Sequence, residues 1–150
     1  MWSHLFLLSL LLAVSLAGKC PNGAILSTKG DKCFHVVKNA TDWYDAESVC
    51  ITLGGDDGHG HLASVQNKED NKLLCDLLKE GQFWLGGMDF TENQDWVWTD
   101  GPAVTYSNWA AGEPSHVDQR DCMMADAATG LWAAKSWSHK VYFVCESKTQ

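Results

Sequence analysis

Apolar residues recur at helical spacing in two stretches of the chain and run together or alternate as strands elsewhere. Trp43, Ala46, Val49, Cys50 and Leu53 fall three and four apart, which is one face of a helix. Thr41 with Asp42 gives its start signal, an N-cap followed by an acid in the first turn, and Gly54-Gly55 ends the pattern. A second stripe, Leu73, Leu74, Leu77 and Leu78, opens at Asn67 and closes at Gly81. Glu69 and Asp70 in its first turn complement the positive end of the helix dipole. Before these helices, Ala24-Ile25-Leu26 lies between Pro21-Asn22-Gly23 and Gly30-Asp31 and reads as a small hairpin, with β-prone Phe34-His35-Val36-Val37 after it. After them come the apolar runs Phe83-Trp84-Leu85-Gly86-Gly87, Trp96-Val97-Trp98, Met123-Met124 and Val141-Tyr142-Phe143-Val144-Cys145. The pattern predicts an α+β fold, helical early and mostly β in its second half.

Residues 108–122 fit neither period. They group Glu113, Asp118 and Asp121 around Pro114. A long irregular loop in a compact domain is uncommon unless it is functional, so the binding site is expected there. Oxygen-bearing side chains flanking a proline suit a hard cation such as Ca²⁺, which takes six to eight oxygens.

Charge and cysteine narrow the class. Residues 5–14 are apolar but too few to span a bilayer, and Ser15 and Ala17 are small residues suited to cleavage after Ala17. Residues 1–17 therefore read as a signal peptide and residues 18–150 as one secreted, extracellular domain with no membrane partner. The leader carries no Asp, Glu, Lys or Arg, so that domain keeps the formal net charge of −8. Such a charge disfavours nucleic acid, whose phosphates need clustered Lys and Arg. Six cysteines in an exported chain read as a disulfide framework with fifteen formal pairings. Asn39-Ala40-Thr41 is a glycosylation sequon.

Taken in order, the residues resemble a C-type lectin-like domain. The resemblance rests on Cys20 and Cys33, Trp43 with Cys50, Leu53-Gly54-Gly55, His61-Leu62-Ala63-Ser64-Val65 and Trp84-Leu85-Gly86-Gly87. It continues through Trp96, Trp98, Asp100-Gly101, Tyr106-Ser107-Asn108-Trp109, Glu113-Pro114, Cys122, Gly130-Leu131-Trp132 and Phe143-Val144-Cys145-Glu146. It implies two helices flanking two small antiparallel sheets, adjacent chain ends, and disulfides Cys20–Cys33 and Cys50–Cys145. The family's further disulfide would join Cys122 to a position occupied here by Trp137. Cys75 and Cys122 are thus unassigned, with three readings open: a mutual bond, free buried thiols, or an intermolecular bridge.

The resemblance also implies where calcium and sugar would bind. Glu113 matches the family's ligand before the proline. Ser115 replaces an amide, Arg120 stands where an acid is expected, and Ala133-Ala134 replace Asn-Asp. One carboxylate and a hydroxyl cannot supply six oxygens, and Arg120 would repel the cation, so the usual site is not expected. Glu113-Pro114 then keeps the loop's turn, with a cis proline as one form of it. A weak calcium site would draw on Asp89, Glu92 or Asn93, Glu113 and Asp121, against the alternative of solvated loop acids. The run Asp56-Asp57-Gly58-His59-Gly60-His61 invites zinc, but its spacing fits no closed site and reads as a loop. Trp109 and Trp132 are expected in the core. Trp137 either fills the missing disulfide's volume or is exposed as a contact residue.

No nucleophile elbow is present, and no base adjoins Cys75 or Cys122 in sequence, so no enzyme is expected. The reading is a secreted recognition module for a glycan or an extracellular protein. Its ligand loop would use Trp109, Glu113, Pro114, Ser115, Asp118, Arg120 and Asp121, with no certain cofactor. Alternatives are a calcium-dependent lectin with an altered site at Glu113, Asp118 and Asp121, and a protein that adsorbs to mineral or ice.

Overall fold

The computed structural model of the chain describes residues 18–150 apart from Asn22, Asp56, Asp57, Glu92 and residues 116–120. The leader assigned to residues 1–17 lies outside the described residues. Strands β1 (Ile25–Leu26) and β2 (Lys32–Thr41) form the expected hairpin and lead into helix α1 (Trp43–Leu53). Strand β3 (His61–Leu62), helix α2 (Lys68–Leu78), and strands β4 (Gln82–Met88), β5 (Val97–Trp98), β6 (Cys122–Asp126), β7 (Trp132–Lys135) and β8 (Val141–Lys148) follow. One antiparallel set is β1, β2 and β8 with β3, and the other is β4, β6 and β7 with β5. A parallel pairing of β4 with β8, Phe83 opposite Tyr142 and Trp84 opposite Phe143, joins the two.

Both helices begin as their side chains dictate. Strand β2 runs through Thr41, which leaves Asp42 as the cap of α1; its carboxylate accepts from the Asp45 amide at 3.0 Å. Asn67 caps α2, accepting from the Asp70 amide at 2.7 Å. Asp70, almost fully buried, accepts from the amide and hydroxyl of Thr28 at 2.8 and 2.7 Å and so ties α2 to the hairpin. The buried stripe of α1 is narrower than its spacing predicts. Trp43, Ala46 and Cys50 are buried, whereas Val49 and Leu53 are exposed. Around the helix Val49 lies about 60° and Leu53 about 20° from Ala46, both on the flank of the stripe away from Trp43.

Period-two alternation divides the core between the two faces of the sheet. Phe83, Leu85, Met123, Ala125 and Val144 pack with Leu74, Cys75 and Leu78 of α2 around Trp98 and Trp132. Trp84, Cys122, Met124, Phe143 and Cys145 pack with Trp43, Ala46 and Cys50 of α1. Gly86 is required where β4 meets the backbone beyond β3, since a Cβ there would strike the Leu62 carbonyl oxygen.

Two disulfides form, Cys20–Cys33 and Cys50–Cys145, with Cα separations of 5.5 and 5.1 Å. The first staples the hairpin and the second ties α1 to β8. The two ends of the described domain meet through reciprocal backbone bonds between Lys19 and Gln150. Cys75 and Cys122 are free and buried. They belong to opposite faces of the sheet, which rules out a bond between them in this fold. Asn39 is exposed on β2, a position open to glycosylation.

Candidate functional site

The loop of residues 108–122 is held at its entry by strand β7. The Trp132 amide donates to the Asn108 carbonyl and the Ala110 amide to the Trp132 carbonyl, both at 2.9 Å. The Asn108 side-chain Nδ2 also donates to the Gly130 carbonyl at 2.6 Å. Behind the loop, Trp132 is fully buried and five rings meet edge to face in a column: Trp96 with Trp109 at 4.9 Å, and Trp109, Tyr106 and Trp98 each with Trp132. The expected core role of Trp132 is observed, while Trp109 is half-buried at the loop surface. The Trp96 and Trp98 indole N–H groups are buried without a hydrogen-bond partner among the described residues.

Glu113 and Pro114 meet at a cis peptide bond. One oxygen of Glu113, Oε2, accepts from the Ser115 amide at 2.7 Å and from the Ala134 amide of β7 at 3.1 Å. The carboxylate thus fastens the loop to the sheet. Asp89, expected as a cation ligand, is buried; its Oδ1 accepts from the Thr91 amide at 3.1 Å and its Oδ2 from the Gln94 amide at 2.9 Å. Asp121 stands next to it, its carbonyl accepting from the Asp89 amide at 2.9 Å. Asp118, Arg120 and Glu92 lie outside the described residues. A calcium ion needs six to eight oxygens. Ala133 and Ala134 carry no side-chain oxygen, and no cluster of three His, Cys, Asp or Glu suited to a metal occurs among the described residues. Those residues do not fit a conventional calcium centre.

A cleft of about 400 Å³ opens beside the loop, lined by Gln94, Asp95, Trp96, Ser107, Trp109 and Pro114 among others. Of the expected ligand-loop residues it gathers Trp109 and Pro114. Gln94 and Asp95 were not expected as site residues, and Ser107 entered only as a marker of the family resemblance, because nothing in their spacing marks them as neighbours.

Cys122, at the loop's exit, is 1% exposed, and burial pushes its thiol up to about 12. Trp137 leaves its backbone carbonyl to accept from the Trp43 amide at 3.0 Å but keeps its ring outside the core, 42% exposed against Tyr44 at 5.8 Å. Of its two expected placements, the structure shows the exposed one rather than a ring that fills the disulfide's volume.

A buried polar cluster also escaped the sequence reading. Glu146 Oε2 accepts from the Lys32 ammonium at 2.7 Å and the Ser64 amide at 2.8 Å, and the Ser64 hydroxyl reaches Asp100 at 2.8 Å. Burial, with the adjacent Asp100 carboxylate, pushes Glu146 up to about 7 against the pull of Lys32. Glu146 is visible in sequence only as the residue after Cys145, and nothing marks Lys32 as its partner. At the start of β3, His61 hydrogen-bonds with Glu47 at 2.7 Å. Asp56 and Asp57 of the zinc reading lie outside the described residues.

The profile of the lectin C-type domain matches residues 39–147. Galactose-specific lectin nattectin of Thalassophryne nattereri is 29% identical over 132 residues, spanning 84% of this chain and 79% of its own. Among solved structures, a calcium-independent type II antifreeze protein shares 28% identity with a TM-score of 0.79, over 89% of this chain and 98% of its own. Human lithostathine shares 27% identity with a TM-score of 0.77, over 87% and 92%. With the profile covering most of the chain and the fold matched over 89% of it, the protein belongs to the C-type lectin domain family.

Proposed function

We propose that the protein is a secreted recognition module that binds a glycan or an extracellular protein through residues 108–122 and the cleft beside them, without the family's usual calcium site. The observation that carries this reading is Glu113 Oε2, which accepts from two backbone amides and fastens the loop to β7, beside Ala133 and Ala134, which offer no side-chain oxygen. Trp109, Glu113, Pro114, Ser115 and Asp121 would form the described part of the ligand surface, with Asp118 and Arg120 completing it. Its relatives include a lectin named galactose-specific and one named alpha-N-acetylgalactosamine-specific, which supports a sugar ligand. A glycan array run with calcium and with EDTA tests it: the module gives signals that EDTA leaves unchanged, and EDTA-sensitive binding would instead support an altered calcium site at Glu113, Asp118 and Asp121.

Adsorption to a solid surface is a second reading. It is favoured by the similarity to a type II antifreeze protein described as calcium-independent and to the type-2 ice-structuring protein of Hemitripterus americanus. An ice-recrystallisation assay with no inhibition would remove it.

A further inference from the structure

Two exposed aromatic side chains, Tyr44 and Phe90, line one largely apolar cleft that also includes Glu47, and a third, Trp137, stands beside Tyr44. Tyr44 is 52% exposed, Phe90 70% and Trp137 42%. The Trp137 ring lies 5.8 Å from Tyr44, which packs edge to face on buried Trp43 at 5.3 Å. On the far side of Tyr44 a cleft of about 470 Å³ opens, with Met88, Val97 and Trp43 in its walls and Phe90 at its margin. Its volume suits one large side chain or a small ligand. None of its lining belongs to residues 108–122.

Isolated apolar side chains on a surface need no explanation, but a contiguous aromatic face around a concavity marks a contact site. The charges about it are mainly negative. Asp42 and Asp45 flank Tyr44 in sequence, and the Tyr44 hydroxyl is pushed up by burial first and then by the neighbouring Cys122 and Asp121. Lys140 is bound to Asp42 at 2.8 Å and feels Asp45 as well. The whole chain carries a net charge of −8. A partner rich in carboxylate would be repelled here, and one that sets Lys or Arg around an apolar anchor would be drawn in.

We propose that the Tyr44, Phe90 and Trp137 face is a docking surface for a basic polypeptide segment that places one aromatic side chain in this cleft. Aromatic residues supply most of the energy at such contacts, and the acidic rim sets orientation and speed of encounter.

The test is amide chemical-shift mapping of the ¹⁵N-labelled protein, titrated with the capped peptide Gly-Lys-Phe-Lys-Gly and its Gly-Glu-Phe-Glu-Gly counterpart. The lysine peptide should shift signals of Tyr44, Phe90, Trp137 and their neighbours, with the glutamate peptide at least tenfold weaker. Phe90→Ser should weaken the lysine peptide at least fivefold. Asp45→Lys, which touches no apolar contact, should weaken it about threefold while leaving core signals in place. Equal response to both peptides, or free indole matching the lysine peptide, would overturn the proposal. So would shifts at this face that depend on protein concentration alone, because the occupant would then be a second copy.

Discussion

Glu113 is the residue on which the loop's attachment turns. Its Oε2 accepts from the Ser115 and Ala134 amides, so truncation leaves two donors without partners. Glu113→Ala should destabilise the fold by about 1–3 kcal/mol in urea unfolding, while Glu113→Gln, which keeps an acceptor, should cost under half as much. Equal losses would mean that the hydrogen bonds are not what the side chain supplies. Cys122 is buried with its thiol pushed up to about 12, so the native protein at pH 8 should leave it unalkylated by iodoacetamide. In guanidinium both Cys75 and Cys122 should label, and intact mass should then count two thiols. The sequence placed Glu113 at the site but could not show its use, since the Ala134 amide is 21 residues away and backbone donors leave no mark in residue identity. Asp89 left two readings open for a related reason. A carboxylate that caps its own loop looks the same in sequence as one waiting for a cation.

Among the elements, α1 and β8 carry the most instructive pairings. The Cys50–Cys145 bond links them across 95 residues. Replacing both by alanine should cost on the order of 4 kcal/mol in the chain-entropy view, read as a lowered urea midpoint. Strand β8 also brings Glu146 against Lys32 of β2 and Asp100 beyond β5. Its folded value lies above the ordinary 4.5, so the folded state holds this proton more tightly. The associated stability is complete below about pH 4.5 and is lost as pH rises through about 7, a swing on the order of 3 kcal/mol. Glu146→Gln should flatten the curve of stability against pH over that window; an unchanged slope would assign it to another group. Helices and strands were legible here because spacing alone declares a periodic face. The width of that face was not. Val49 and Leu53 satisfy the helical period yet are exposed, because how far the sheet extends beneath α1 depends on strands distant in sequence. The parallel union of β4 with β8 is equally a tertiary fact.

At the scale of the molecule, two surfaces are set on one scaffold. The loop of residues 108–122 rests on β7 and the tryptophan column. The aromatic face of Tyr44, Phe90 and Trp137 lies over α1, β4 and β5. Trp137 connects the two histories: it stands where the family's further disulfide would anchor Cys122, and its ring has moved to the surface beside Tyr44. The ordered markers from Cys20 to Glu146 made the family readable without any structure, since each records a packing or capping demand of the fold. The absent ligands at Ser115, Ala133 and Ala134 were also readable, because an alanine has no oxygen to offer. The central claim is that this scaffold works without the usual calcium. Isothermal titration of calcium into the calcium-free protein tests it most directly: the account predicts no binding tighter than millimolar, and a stoichiometric micromolar site would contradict it.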